Sequence, residues 1–262
     1  MKLAIVGAGK MGGAVLTGAL RAGVLDADEV GVYHPDDARR DALAERYGVA
    51  PLDDDGVHRA ERILIGVKPQ AFERVAPLIA RRSGCFVSIM AGVPADAIAR
   101  RVGSRRVVRA MPNLGARVRL SATALAALPD ATPGDVAFAQ DLFAAIGRVH
   151  RIAESQFDAF TGLAGSGPAF AAIIAEALAD GGVRSGFGRE TARELAREVL
   201  SATARLLEDV GPADLKDEVA SAGGTAIAGV RALEGHGVRY AVMRAVEDAS
   251  ARAGELSRED EA

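Results

Sequence analysis

The hexapeptide Gly7-Ala8-Gly9-Lys10-Met11-Gly12 constrains the fold of this 262-residue chain more than any other feature. It follows a short apolar run, Lys2–Val6, and precedes residues at helical spacing, Val15, Leu16, Ala19 and Leu20. The order is therefore strand, tight turn, helix. In such a turn the first glycine permits the bend, the second lets the backbone approach a pyrophosphate, and the third lets helix and strand pack closely. The segment predicts a dinucleotide-binding βαβ unit at the amino terminus.

Further runs extend that plan. Glu29–Tyr33, Ile63–Val67, Cys85–Met90 and Arg106–Ala110 read as strands, and Asp36–Tyr47 reads as a helix. Strands alternating with helices predict a parallel, doubly wound sheet. After Ala153 the strand-like runs stop, and helical patterns follow at 155–164, 167–181, 189–209, 213–221, 224–234 and 238–255. The reading is an α/β domain over 1–153 and an all-helical domain over 154–262. The stretch from Pro168 to Ala179 is apolar on nearly every face, which predicts cover by a second subunit. Residues 258–262 read as a frayed, solvated tail.

Composition narrows the partners. A net charge of −3 without a basic block argues against nucleic acid and anionic membrane surfaces. The apolar runs are shorter than the roughly 18 residues of a membrane span, and Met1 runs straight into a strand rather than a secretory leader. A cytoplasmic protein is expected. Cys85 is the only cysteine, which excludes an internal disulfide and a cysteine-rich metal site and marks it as core. His34, His58, His150 and His236 lack ligand spacing, so no metal is expected.

The end of the second strand separates the two nicotinamide cofactors. NAD calls for an acid there, and NADP for basic or polar groups. Tyr33-His34-Pro35 supplies no acid, His34 can donate to a phosphate, and Arg39 or Arg40 can reach back from the next helix. NADP(H) is favoured, with NAD(H) the alternative.

A second anion cradle lies at 215–229, where Gly223-Gly224-Thr225 opens a helix carrying Ile227, Val230 and Leu233. Unshielded amides at a helix start attract carboxylates.

Taken together, these segments resemble the pyrroline-5-carboxylate reductase family. The resemblance is carried by Gly7–Gly12, Val67-Lys68-Pro69, Ala91-Gly92-Val93, Met111-Pro112-Asn113, Gly165-Ser166-Gly167-Pro168-Ala169, and Leu215-Lys216-Asp217 leading to Gly223-Gly224-Thr225. It implies a Rossmann NAD(P)-binding domain followed by an all-α dimerisation domain, a homodimer that can assemble into rings, and an active site between domains and across the dimer. It implies hydride transfer from NAD(P)H to a cyclic imino acid. The implied cofactor contacts are Gly7 to Gly12, Asp53, Val67, Lys68, Pro69, Ala91, Gly92 and Asn113. The implied substrate contacts are Ser221, Gly223, Gly224, Thr225 and Ala226, with the substrate carboxylate on the loop amides.

The chain departs from the family pattern in several places. The threonine whose hydroxyl meets the ring nitrogen in the family is Ala226 here, which leaves Thr225 as the neighbouring hydroxyl and the catalytic candidate. Its side chain projects about a third of a turn away. Ala222 replaces a proline, Leu114-Gly115 replaces Thr-Pro, Ala164 a serine and Phe170 a tyrosine. Pro35 stands where a basic residue is common, and Asp53 where an asparagine often meets the adenosine. These changes leave open a paralogue acting on another cyclic imine and a non-catalytic NADP-binding relative. A hydroxyacid dehydrogenase of similar plan would need an active lysine, and Lys216, beside Asp217, is its only candidate. Arg109 and Arg117 flank Met-Pro-Asn and can either approach an anion or pair at the surface.

Overall fold

The computed structural model describes residues 1–80 and 84–259. These residues group into two compact units, 1–165 with 249–259, and 166–248.

The first unit is built on an eight-stranded sheet: β1 (Leu3–Val6), β2 (Val30–Tyr33), β3 (Ala50–Leu52), β4 (Arg62–Ile65), β5 (Cys85–Ser88), β6 (Val107–Pro112), β7 (Ser121–Ala127) and β8 (Gly147–Arg151). Its order is β3-β2-β1-β4-β5-β6-β7-β8. All neighbours are parallel except β6 and β7. The sheet is parallel and doubly wound as expected up to this point, where the chain turns back after Pro112 and adds β7 and β8 in the opposite sense. β1, β2 and β5 are buried along their whole length, as a sheet covered on both faces requires.

Helices α1 (Lys10–Arg21), α2 (Asp37–Tyr47), α3 (Asp54–Arg59), α4 (Pro69–Ile79), α5 (Ala95–Val102) and α6 (Pro133–Ala144) accompany these strands. Their ends carry local instructions. Asp36 caps α2 by accepting the Arg39 N–H at 2.8 Å, and α6 opens with a reciprocal Thr132–Asp135 capping box and Pro133 in its first turn. Two apolar clusters fill the faces. One holds Leu16, Val32, Leu64 and Phe143, and the other holds Phe72, Ile79, Phe86 and Ile98. Cys85 is fully buried in the first cluster; burial pushes its thiol up to about 12, which fits core filler.

α7 (Phe157–Phe160) runs into a π-helical turn at Thr161–Gly165, which closes the first stretch of this unit. In the second unit α8 (Gly167–Arg184) packs on α9 (Arg189–Leu206), with α10 (Pro212–Val219) and α11 (Thr225–Gly235) following. Gly182 lets α8 and α9 approach, since a Cβ there would stand 3.1 Å from the Ala192 Cβ. The buried cluster in this unit is only Ala179, Ala192 and Ala196. Ile173, Leu178, Val199, Tyr240 and Met243 remain exposed.

α12 (Val238–Glu259) begins in the second unit and ends in the first, where Ser257 donates to Asp158 at 3.2 Å. The frayed tail expected from Arg258 onward is corrected in part. Arg258 and Glu259 belong to α12, and residues 260–262 lie outside the described residues.

Candidate cofactor and substrate sites

β1 ends at Gly7, whose φ of +101° suits glycine. A Cβ on Gly7 would meet the Gly66 carbonyl carbon and the Val67 nitrogen at 2.6 Å, and one on Gly12 would meet the Gly7 oxygen at 2.5 Å. β1 and β4 are neighbours at the point where the strand order reverses, the place where open α/β sheets bind ligands. Gly9 occupies the N-cap of α1 with no side-chain cap, and a Cβ there would meet nothing within 4 Å. The first-turn amides of α1 therefore face open space, with no acid in that turn.

That space belongs to a cleft of about 1250 Å³. Its lining includes Gly7, Ala8, Gly9 and Lys10, along with His34, Pro35, Val67 and Lys68. Met11 and Gly12 act from behind, packing the turn. The cleft carries Lys10, Arg21, Arg39, Arg46, Lys68, Arg74, Arg117 and Arg119, and no carboxylate among the described residues. None of these eight takes part in an ion pair among the described residues. A chain of net charge −3 thus concentrates positive potential on one face, which focuses an anion there.

His34 accepts the Asp36 N–H on Nδ1 at 3.0 Å, so the neutral ring carries its proton on Nε2 and presents a donor. Arg39 lines the cleft, whereas Arg40 is held by Asp37 and Asp41. Asp53 is absent from the lining. Its carboxylate caps α3, with Oδ1 accepting the Gly56 N–H at 2.7 Å. Lys68 is the N-cap of α4, and Pro69 its first residue.

Ala91 and Gly92 form the turn after β5, with Gly92 at φ +78°. Asn113 is committed to the fold. Its Oδ1 accepts from the Gly115 and Ala122 amides at 3.1 and 3.3 Å, and its Nδ2 donates to the Ala164 oxygen at 2.8 Å. The same contacts explain Gly115, whereas nothing in the structure explains Leu114. The Gly115 N–H is in use, and a Cβ there would lie 2.3 Å from the Leu120 oxygen, so a proline does not fit this turn. Arg109 is neither an anion ligand nor a surface residue. It is 5% exposed and pairs with Glu154 at 2.8 Å.

The second cradle is local to the second unit. α10 ends at Val219, Gly223 turns the chain with φ +71°, and Gly224 is the N-cap of α11 without a side-chain cap. Gly224 donates to the Ser221 oxygen at 3.0 Å, and a Cβ on Gly224 would strike the Ser221 hydroxyl at 2.4 Å. Ser221 and Thr225 are exposed residues beside the uncapped first turn, and Ala226 is half-buried. Lys216 pairs with Asp217, the role expected of it outside a hydroxyacid dehydrogenase.

A pyrroline-5-carboxylate reductase of Thermus thermophilus is 50% identical over 98% of both chains. The chain belongs to the pyrroline-5-carboxylate reductase family. The reductase of Escherichia coli, 33% identical over 98% of both chains, marks a more distant member. Family models match residues 154–256 as pyrroline-5-carboxylate reductase dimerisation and residues 2–92 as NADP oxidoreductase, coenzyme F420-dependent. Among solved structures, the reductase of Streptococcus pyogenes superposes with a TM-score of 0.87 at 30% identity, covering 97% of this chain and 98% of that one. The Plasmodium falciparum enzyme, solved with NADP bound, gives 0.84 at 25% identity over 98% of both.

Four cleft cations, Arg21, Arg46, Arg74 and Arg119, were not anticipated from the sequence. A signal for Arg46 exists: Arg39, Leu43 and Arg46 recur at i, i+4 and i+7 on one face of α2. Arg119, in the left-handed region at φ 62°, has no such signature.

Proposed function

We propose that the chain reduces 1-pyrroline-5-carboxylate to L-proline with NADPH as hydride donor. The observation that carries the reading is the pair of uncapped helix starts, α1 behind Gly9 and α11 behind Gly224, in a chain 50% identical to a curated reductase.

The cleft fits a dinucleotide. Gly9 leaves room for a pyrophosphate on the α1 amides, and the His34 Nε2–H with Arg39 offers donors for a 2′-phosphate. The absence of a carboxylate from the lining favours NADPH over NADH. When bound, the nicotinamide supplies hydride at its C4 position.

The chain's own groups bind and orient. The first-turn amides of α11 and the Ser221 hydroxyl take the substrate carboxylate, and the Thr225 hydroxyl hydrogen-bonds the ring nitrogen in place of the missing hydroxyl at Ala226. A protonated imine is already electrophilic, so positioning and exclusion of water dominate. Val67, Lys68, Pro69, Ala91 and Gly92 shape the strand ends that meet the cofactor. Asn113 serves it through the 113–122 turn.

The proposed domain division, 1–153 and 154–262, follows the start of the matched dimerisation region at residue 154. By length and composition the helical run Glu154–Arg184, with an 18-residue window of mean hydropathy 1.4, could cross a membrane. The dimerisation match favours a second copy of this chain as the cover for Ile173 and Leu178.

Ala226 favours one variant of this reading, a different ring size. NADPH oxidation with pyrroline-5-carboxylate, piperideine-6-carboxylate and piperideine-2-carboxylate decides between them. The first is expected to turn over fastest. Faster turnover of a piperideine would replace proline as the product, and turnover of none would end the reductase reading.

A further inference from the structure

The loop Ala91–Pro94 leaves β5 and enters α5 at Pro94, an N-cap without a side-chain hydrogen bond. Its cap comes from a distant part of the chain. Glu154 Oε1 accepts the Ala95 N–H at 2.7 Å, and the same oxygen accepts from Arg109 Nη1 at 2.8 Å. The Arg109 side chain is 6% exposed, and its guanidinium lies 4.5 Å from the centre of the buried Phe157 ring. A serine or aspartate at position 94 would cap α5 locally. Here a carboxylate at the helix start, favoured by the helix dipole, is held in place by a buried arginine.

The turn after β6 grips the same segment at its other end. Asn113 Nδ2 donates to the Ala164 oxygen at 2.8 Å, so 154–165 is tied to β6 through Arg109 and to the turn that follows it through Asn113. Glu154 is therefore the side chain that fixes the Ala95 N–H at the exit of the Ala91–Pro94 loop.

We propose that Arg109 and Glu154 are positioning residues that hold the Ala91–Pro94 loop in the shape the cofactor requires, acting through the Ala95 amide. The inference rests on the proposed reading that Ala91 and Gly92 of this loop meet NADPH. Neither Arg109 nor Glu154 is among the residues that line the cleft. The loop they set does the contacting.

The test is steady-state kinetics, NADPH binding by fluorescence and thermal unfolding of the full chain carrying Glu154→Ala or Glu154→Gln. Glu154→Ala is expected to raise both KM and Kd for NADPH about tenfold, the effect of one lost charge-assisted hydrogen bond. KM for pyrroline-5-carboxylate at saturating NADPH should stay within about twofold. Glu154→Gln, which keeps an acceptor for the Ala95 N–H, should recover most of the NADPH affinity. Where Glu154→Ala does not fold, Glu154→Asp, one methylene too short for both partners, carries the same expectation. A Kd for NADPH within about twofold of the unaltered value, whatever the change in melting temperature, overturns the proposal. Failure of the unaltered chain to bind NADPH overturns the cofactor reading beneath it.

Discussion

Gly7 and Gly66 stand so close that a Cβ on Gly7 would lie 2.6 Å from the Gly66 carbonyl carbon, at the seam between β1 and β4. Gly7 also needs its φ of +101°. Gly7→Ala is expected to cost about 1–3 kcal/mol of stability, through strain and overpacking, and to weaken NADPH binding at least about tenfold. Gly9→Ala separates the two effects. Its Cβ meets nothing within 4 Å, so stability should stay within about 0.5 kcal/mol while NADPH affinity still falls. Urea unfolding and NADPH fluorescence titration check the pair.

Arg39 and His34 predict cofactor choice. Arg39→Ala removes a cleft cation with no ion-pair partner among the described residues, and should raise KM for NADPH about 10- to 100-fold. KM for NADH, which lacks the 2′-phosphate, should change by less than about threefold. Equal losses for both cofactors would place Arg39 elsewhere.

Thr225 and Ala226 predict where the ring nitrogen is held. Thr225→Val keeps the shape and removes the hydroxyl, and kcat with pyrroline-5-carboxylate should fall about 10- to 100-fold at unchanged KM for NADPH. Adding Ala226→Thr to that variant should restore much of the loss. An unchanged kcat in Thr225→Val removes Thr225 from the mechanism.

Asp135 predicts an acid limb and Cys85 with Tyr33 an alkaline one. Burial alone would raise the Asp135 carboxyl, but hydrogen bonds from Thr132 and Arg106 outweigh it and hold the carboxyl below its usual range. Its stabilisation is full above the unfolded carboxylate value of about 3.9 and is lost as pH falls through the lower folded value. Burial pushes the Cys85 thiol up to about 12. Burial first, then a hydrogen bond with Asp54, pushes the Tyr33 phenol up to about 12. That stabilisation is full below the unfolded values of about 8.5 and 10 and is lost as pH rises towards the folded ones. Urea midpoints against pH should show both limbs, and Asp135→Asn should flatten the acid one and, because the Asp135 charge also raises the Cys85 thiol, weaken the alkaline one in part. A thiol reagent should leave Cys85 unmodified until the protein unfolds.

The strand–turn–helix of β1 and α1 was legible because three glycines at fixed spacing have a backbone reason to be there. β7, Ser-Ala-Thr-Ala-Leu-Ala-Ala, was not, because alanine runs favour helix and only pairing with β6 decides otherwise. β3 hides behind Pro51 at a sheet edge, where proline is tolerated. In the site, the Gly223–Gly224 turn was readable from residue type. The commitment of Asn113 and Asp53 to hydrogen bonds within the fold was not, since their partners Ala122, Ala164 and Gly56 are settled only by folding.

Hydride transfer to a carboxylate-bearing cyclic imine is the central claim, and isotope transfer tests it most directly. The protein would be supplied with pyrroline-5-carboxylate and NADPH deuterated at the transferable C4 position, and the product examined by mass spectrometry and NMR. The account predicts L-proline carrying one deuterium at C5. Proline without deuterium, or oxidised cofactor without proline, would contradict it.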